Sequence, residues 1–216
     1  MSHAREDPPP LITERVAEYT REDPDKPLLT WLDAQGRVES QHSYRAFDRA
    51  ARGVAAHLLE QGLVRGDVAV LAYTPGADFF IAFWACMLAG IIAVPVVPPL
   101  TRGDVKKFLR VVNDSDARVV LLDRTMSRII ALKMRKDQAA RLGQRFRTML
   151  AVDTSAPAVN FADLEPIWRL TTTGTDAREP AADLLPQPAN EPSFLMYSSG
   201  TTSHPKGART TFANLH

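Results

Sequence analysis

Along this chain, short apolar runs rich in β-branched residues alternate with stretches in which apolar positions recur every three or four residues. After the triple proline Pro8–Pro10, the spacing of Leu11, Ile12, Arg15, Val16 and Tyr19 predicts a first amphipathic helix that stops at Asp23-Pro24. LLTWLD and RVESQHS flank Ala34-Gln35-Gly36, which predicts a short hairpin. Ser43 is placed to cap a long helix, YRAFDRAARGVAAHLLEQ, that ends at Gly62. DVAVLAY (67–73) reads as a strand. Beyond a polar turn at Thr101-Arg102-Gly103, a helix from Asp104 to about Val112 leads to a strand ARVVLL (117–122). One or two basic helices then cover about 125–142, followed by strands FRTMLAV (146–152) and SFLMY (193–197).

One run carries no charge at all: FFIAFWACMLAGIIAVPVVPPL, from Phe79 to Leu100. Its length matches the ~20 apolar residues that cross a bilayer. Its punctuation does not, because Gly90 is a natural helix cap and Pro95, Pro98 and Pro99 break any continuous helix. No cluster of Lys or Arg flanks it; the nearest charges are Asp78 and Arg102. We read it as a buried helix (about 77–89), a glycine turn and a buried strand IIAVPV, and expect no membrane span.

Helices alternating with short apolar strands predict an α/β fold with a mainly parallel sheet and flanking helices. Residues 154–192, rich in proline and threonine, break the rhythm and read as a surface excursion or linker. The expected organisation is therefore an α/β unit over 1–153, the excursion over 154–192, and a strand with a following loop over 193–216.

Composition narrows the function classes. Lys plus Arg number 26 and Asp plus Glu 25, a net charge of +1, so nothing global points to nucleic acid or a membrane surface. Between Arg124 and Arg147 there are eight basic residues and one acid, Asp137. That reads as a solvated helix face, with a docking patch as the competing reading. The single cysteine, Cys86, excludes an internal disulfide and a cysteine-built zinc site, and its apolar context suits a small buried hydrophobe. Five scattered histidines offer no metal-binding pair. The N-terminus, MSHAREDPPP, has no signal-like apolar segment, which together with the lone cysteine leads us to expect a cytoplasmic protein.

The chemistry concentrates after the last strand, in Tyr-Ser-Ser-Gly-Thr-Thr-Ser-His-Pro-Lys-Gly (197–207). Gly200 lets the backbone turn so that amides can face an anion. Ser198, Ser199, Thr201, Thr202 and Ser203 add hydroxyl donors, Lys206 a point charge and Pro205 stiffness, with Gly207 closing the loop. The spacing is not that of a Walker A loop: counted from Gly200 that motif requires glycine at 205 and Ser or Thr at 207, where this chain has Pro205 and Gly207.

LMYSSGTTSHPKG resembles the phosphate-loop signature of the adenylate-forming enzymes: acyl-CoA synthetases, fatty-acyl-AMP ligases and peptide-synthetase adenylation domains. The stretch from His42 through Pro99 is similar to that family's N-terminal segment, with Ser43-Tyr44 opening the long helix and Gly66-Asp67 before the strand. Ala93-Val94-Pro95 followed by Pro98-Pro99 is most similar to the fatty-acyl-AMP ligase branch. Two positions depart from the pattern. Ser203 stands where many members have glycine, and Phe212 replaces the histidine of the Thr/Ser-His-x-Asn-Leu that follows the loop.

The resemblance implies activation of a carboxylic acid, expected to be a fatty acid, by ATP and Mg2+ to give acyl-AMP and pyrophosphate. Transfer to CoA or a carrier-protein phosphopantetheine follows. It assigns ATP-phosphate binding to Ser198, Ser199, Gly200, Thr201, Thr202, Ser203, Lys206 and Gly207. The family's adenine, magnesium and catalytic-lysine residues come later than its phosphate loop, and His216 lies nine residues past Gly207. We therefore expect the N-terminal part of such a ligase, inactive by itself, with no catalytic residue to name. The competing reading is a non-catalytic nucleotide-binding or protein-docking module of the same descent.

Overall fold

The structure is a computed structural model, and it describes residues 10–134, 150–151, 157–159, 166–169, 187–198 and 206–215. The first helix, α1 (Ile12–Glu22), leads into an antiparallel hairpin of β1 (Pro27–Leu32) and β2 (Val38–Ser43). At its turn Asp33 Oδ1 accepts hydrogen bonds from the backbone N–H groups of Gln35 and Arg37, both at 2.9 Å. The Arg37 N–H, chiefly, holds the Asp33 carboxyl below the usual carboxylate range. Ser43 caps α2 (Tyr44–Glu60) as its sequence suggests, its hydroxyl accepting from Ala46 N–H at 3.3 Å.

The centre is a six-stranded sheet in the order β10-β9-β4-β3-β5-β6. Its strands are β3 (Val68–Ala72), β4 (Ile92–Pro95), β5 (Val119–Leu122), β6 (Leu150–Ala151), β9 (Pro192–Ser198) and β10 (Lys206–Thr211). All neighbours pair in parallel except β9 with β10. The mainly parallel α/β architecture thus matches the alternation of elements along the sequence. A separate small pair, β7 (Pro157–Val159) with β8 (Pro166–Arg169), lies within the stretch read as an excursion.

Strand periodicity divides the core into two layers. Ala69, Leu71, Ala93, Val119 and Leu121 face α2 and α3 (Ala77–Ala89), packing with Phe47, Leu58, Met87 and Phe212. Val70, Ala72, Val94, Val120 and Leu122 face the opposite side, against Phe108 and Val112 of α4 (Arg102–Asp114) and Met126 and Ile130 of α5 (Arg124–Lys133). The uncharged run resolves into α3, a left-handed glycine cap at Gly90 (φ 69°) and β4. Among the described residues no helix is long and apolar enough to cross a membrane. The second half of the basic segment and most of the strand expected over 146–152 lie outside the described residues.

Candidate functional site

The sheet topology singles out one end of the molecule. The helix after β3, α3, covers one face, while the helix after β4, α4, covers the other. Adjacent parallel strands whose connections leave to opposite faces open a crevice at their carboxyl ends, the usual place for a ligand in such sheets. In the strand order β4-β3-β5 that switch falls between β3 and β5, whose following segments are joined by the hydrogen bonds of Asp123 with Thr74. β9 runs parallel to β4 and meets it at one residue pair, Ala93 with Phe194. Backbone N–H groups of Ile92 and Val96 point to β3, bonding the carbonyls of Asp67 and Leu71. By the two-residue alternation, Pro95 is the position that faces β9, and it has no N–H to give. Ser198, the last residue of β9, lies at the carboxyl end of the sheet.

Of the residues singled out in sequence, Ser198 and Lys206 are brought directly opposite each other as paired ends of β9 and β10. Gly207 is paired with Tyr197 in the next rung. Ser199, Gly200, Thr201, Thr202 and Ser203 lie in the connecting loop, outside the described residues. Gly207 is there for closeness: a Cβ built on it would sit 3.1 Å from Tyr197 Cζ and 3.4 Å from its Cε2 and hydroxyl. The Tyr197 phenol donates to Asp114 Oδ2 at 2.8 Å, across 83 residues of sequence. Burial, and then that hydrogen bond, push the phenol up to about 12.

Two further arrangements brace the same end. Asp123, 6% exposed at the end of β5, accepts from the N–H and hydroxyl of Thr74 at 2.6 and 2.7 Å and from Met126 N–H at 2.7 Å. It ties the segment after β3 to the start of α5. After β4, Thr101 and Asp104 form a reciprocal capping box that fixes the first turn of α4. The Thr101 hydroxyl, chiefly, holds the Asp104 carboxyl below its usual range.

Phe212, which stands in place of a histidine, is 1% exposed in the core layer beside α2 and α3. Its role here is packing. Cys86 is fully buried in α3, and burial pushes its thiol up to about 12, far from thiolate chemistry at neutral pH. Sequence reasoning did not reach Asp114, Asp123 or Thr74, whose partners are distant in the chain. One local signal was available: Asp114 is an acid in the last turn of a helix, where the dipole disfavours negative charge.

Comparison with known proteins gives the family and the fold. The family described as "AMP-binding enzyme" matches residues 16–216. The medium-chain-fatty-acid–[acyl-carrier-protein] ligase JamA of Moorena producens is 28% identical over 177 residues, covering 80% of this chain and 26% of that protein. Surfactin synthase subunit 3 of Bacillus subtilis is 29% identical over 204 residues, 94% of this chain and 13% of its own length. Among solved structures, the fatty acyl-adenylate ligase of Legionella pneumophila, in complex with acyl adenylate and pyrophosphate, superposes with a TM-score of 0.63 at 25% identity. It covers 94% of this chain and 30% of that one. The chain thus spans less than a third of the length of each of these relatives.

Proposed function

The chain belongs to the AMP-binding enzyme family, and on that premise we propose that it carries the phosphate grip of an ATP-dependent ligase that activates a fatty acid. The observation that carries this reading is the rung pairing Lys206 with Ser198. It brings both ends of a hydroxyl- and glycine-rich loop to the carboxyl end of the sheet, the end at which such folds bind ligands, where backbone amides can meet an anion. In the same reading residues 1–153 form the N-terminal α/β unit, 154–192 an excursion, and 193–216 the strand–loop–strand that bears the grip.

The donor set fits a polyphosphate. Ser198, Ser199, Thr201, Thr202 and Ser203 offer hydroxyls, Gly200 and Gly207 allow close backbone approach, and Lys206 supplies positive charge. A carboxylate oxygen bonds to the α-phosphorus of ATP while the bond to the β-phosphate oxygen breaks, giving acyl-AMP and pyrophosphate. These residues hold the β- and γ-phosphates in line and offset the charge gathering on the leaving group. Mg2+ arrives with the nucleotide; no carboxylate lies between Ser198 and Gly207, so no residue of this segment is assigned to it. The acyl carbon then bonds to the sulfur of a thiol, that of CoA or of a phosphopantetheine carrier, as its bond to the AMP oxygen breaks, releasing AMP and the thiol's proton.

ATP–pyrophosphate exchange with a panel of fatty acids tests the reading. The 216 residues alone are expected to give background exchange. A polypeptide joining them to the remaining length of such a ligase is expected to exchange with fatty acids, and Lys206→Ala to lower that rate at least ~10-fold, the effect of losing a charge on the departing phosphates. An unchanged rate removes Lys206 from the role. Exchange with other acids but not fatty acids overturns the substrate class.

A further inference from the structure

The edge strand β10 is anchored unequally. Among the described residues its one sheet neighbour is β9. Its far end runs into Phe212, whose ring is buried in the core. Its near end, Lys206, has no such anchor in the chain that follows: Gly207 has no side chain, and Ala208 and Arg209 are exposed. What holds the near end is the Tyr197 ring. It lies over Gly207 from the directly opposed position, so close that a Cβ there would come to 3.1 Å from the ring, the way an aromatic ring shelters a strand glycine. The ring is itself fixed at both ends, by packing against the α4–α5 core layer and by its hydroxyl on Asp114. Asp114 occupies the last turn of α4, where the helix dipole opposes a negative charge, so α4 bears a local cost to present this acceptor.

We propose that Tyr197 and Asp114 are positioning residues that latch the two ends of the phosphate loop, Ser198 and Lys206, to the end of α4. Tyr197 immediately precedes Ser198 and sits across from the residue that follows Lys206, so its ring sets the separation and register of both. The latch rests on the phosphate reading for its purpose, but its existence is independent of that reading, and the two can be tested apart.

The experiment uses the 216-residue chain, with residue-resolved amide hydrogen exchange and titration with inorganic tripolyphosphate on the wild type and four variants. In Tyr197→Phe and Asp114→Ala, exchange at the amides of Lys206 to Ala208 is expected to speed up ~10-fold, the scale of one lost charge-assisted hydrogen bond. Exchange in β3 and β5 is expected to stay as in the wild type. Tripolyphosphate affinity is expected to fall ~5-fold or more with the same change. Asp114→Asn keeps an oxygen that accepts from the phenol and is expected to restore both readouts. Gly207→Ala, whose methyl would press on the ring at 3.1 Å, is expected to weaken both. Unchanged exchange at Lys206 to Ala208 in Tyr197→Phe overturns the latch. Faster exchange with unchanged tripolyphosphate affinity overturns the positioning role. A folded wild type that shows the exchange pattern but binds no tripolyphosphate overturns the phosphate reading, and the positioning role with it, while the latch stands.

Discussion

Cys86 illustrates how burial alone disarms a reactive group. Its side chain is fully enclosed in α3, and desolvation pushes the thiol up to about 12. A thiol reagent at pH 8 is expected to leave the native protein unmodified and to react fully once the chain is unfolded in guanidinium. Reaction of the native protein at the rate of a free thiol would contradict the packing of α3. Tyr197 carries a second residue-scale consequence. Its phenol ionises at 10 in the unfolded chain and at about 12 in the folded one. Between those values the unfolded chain loses its proton first, so the stabilising contribution is complete below pH 10 and is lost as pH rises toward 12. Wild type is therefore expected to lose more stability than Tyr197→Phe over that interval in urea titrations. Parallel curves would show that the phenol is not held as described.

Among the elements, the junction of α3 and β4 shows how much rests on one backbone position. Gly90 adopts φ 69°, and a Cβ there would meet Gln187 Oε1 at 2.8 Å and Arg65 Cγ at 3.1 Å. Both neighbours belong to a clasp in which Gln187 donates to the Leu88 carbonyl and Arg65 pairs with Glu191 at 3.2 Å, just before β9. Gly90→Ala is expected to destabilise the fold by about 1–3 kcal/mol, combining left-handed strain with displacement of the clasp. Thr101→Ala is expected to cost about 1 kcal/mol through the lost cap of α4. Urea unfolding monitored by circular dichroism checks both, and a Gly90→Ala midpoint equal to wild type would rule out the clasp. The elements built on strong periodicity, β3, α3, β4, α4 and β5, were legible in the sequence because their apolar residues both define the period and make the core. β10 was not: Gly207, Ala208, Arg209, Thr210 and Thr211 offer no large apolar side chain, and the strand exists because β9 lends it a ladder. Likewise the loop motif pointed to Ser198, Lys206 and Gly207, but nothing local could pair Tyr197 with Asp114 or Thr74 with Asp123. Those contacts are made by the topology, which brings together residues 83 and 49 positions apart in sequence.

For the whole molecule, the two core layers do one thing that bears on function: they hold the carboxyl ends of β3, β4, β5 and β9 at one edge of the sheet, where β9 ends at Ser198. In the function proposed above, the loop between β9 and β10 grips a polyphosphate through Ser198 to Lys206. The most direct test follows the backbone amide resonances of the 216-residue chain by NMR during titration with tripolyphosphate, with AMP as the control. The account predicts saturable shifts concentrated at residues 198–207, spreading to Tyr197 and Asp114, absent with AMP and abolished in Lys206→Ala. Shifts centred elsewhere on the molecule, or a folded chain whose amides at 198–207 do not respond, would contradict it.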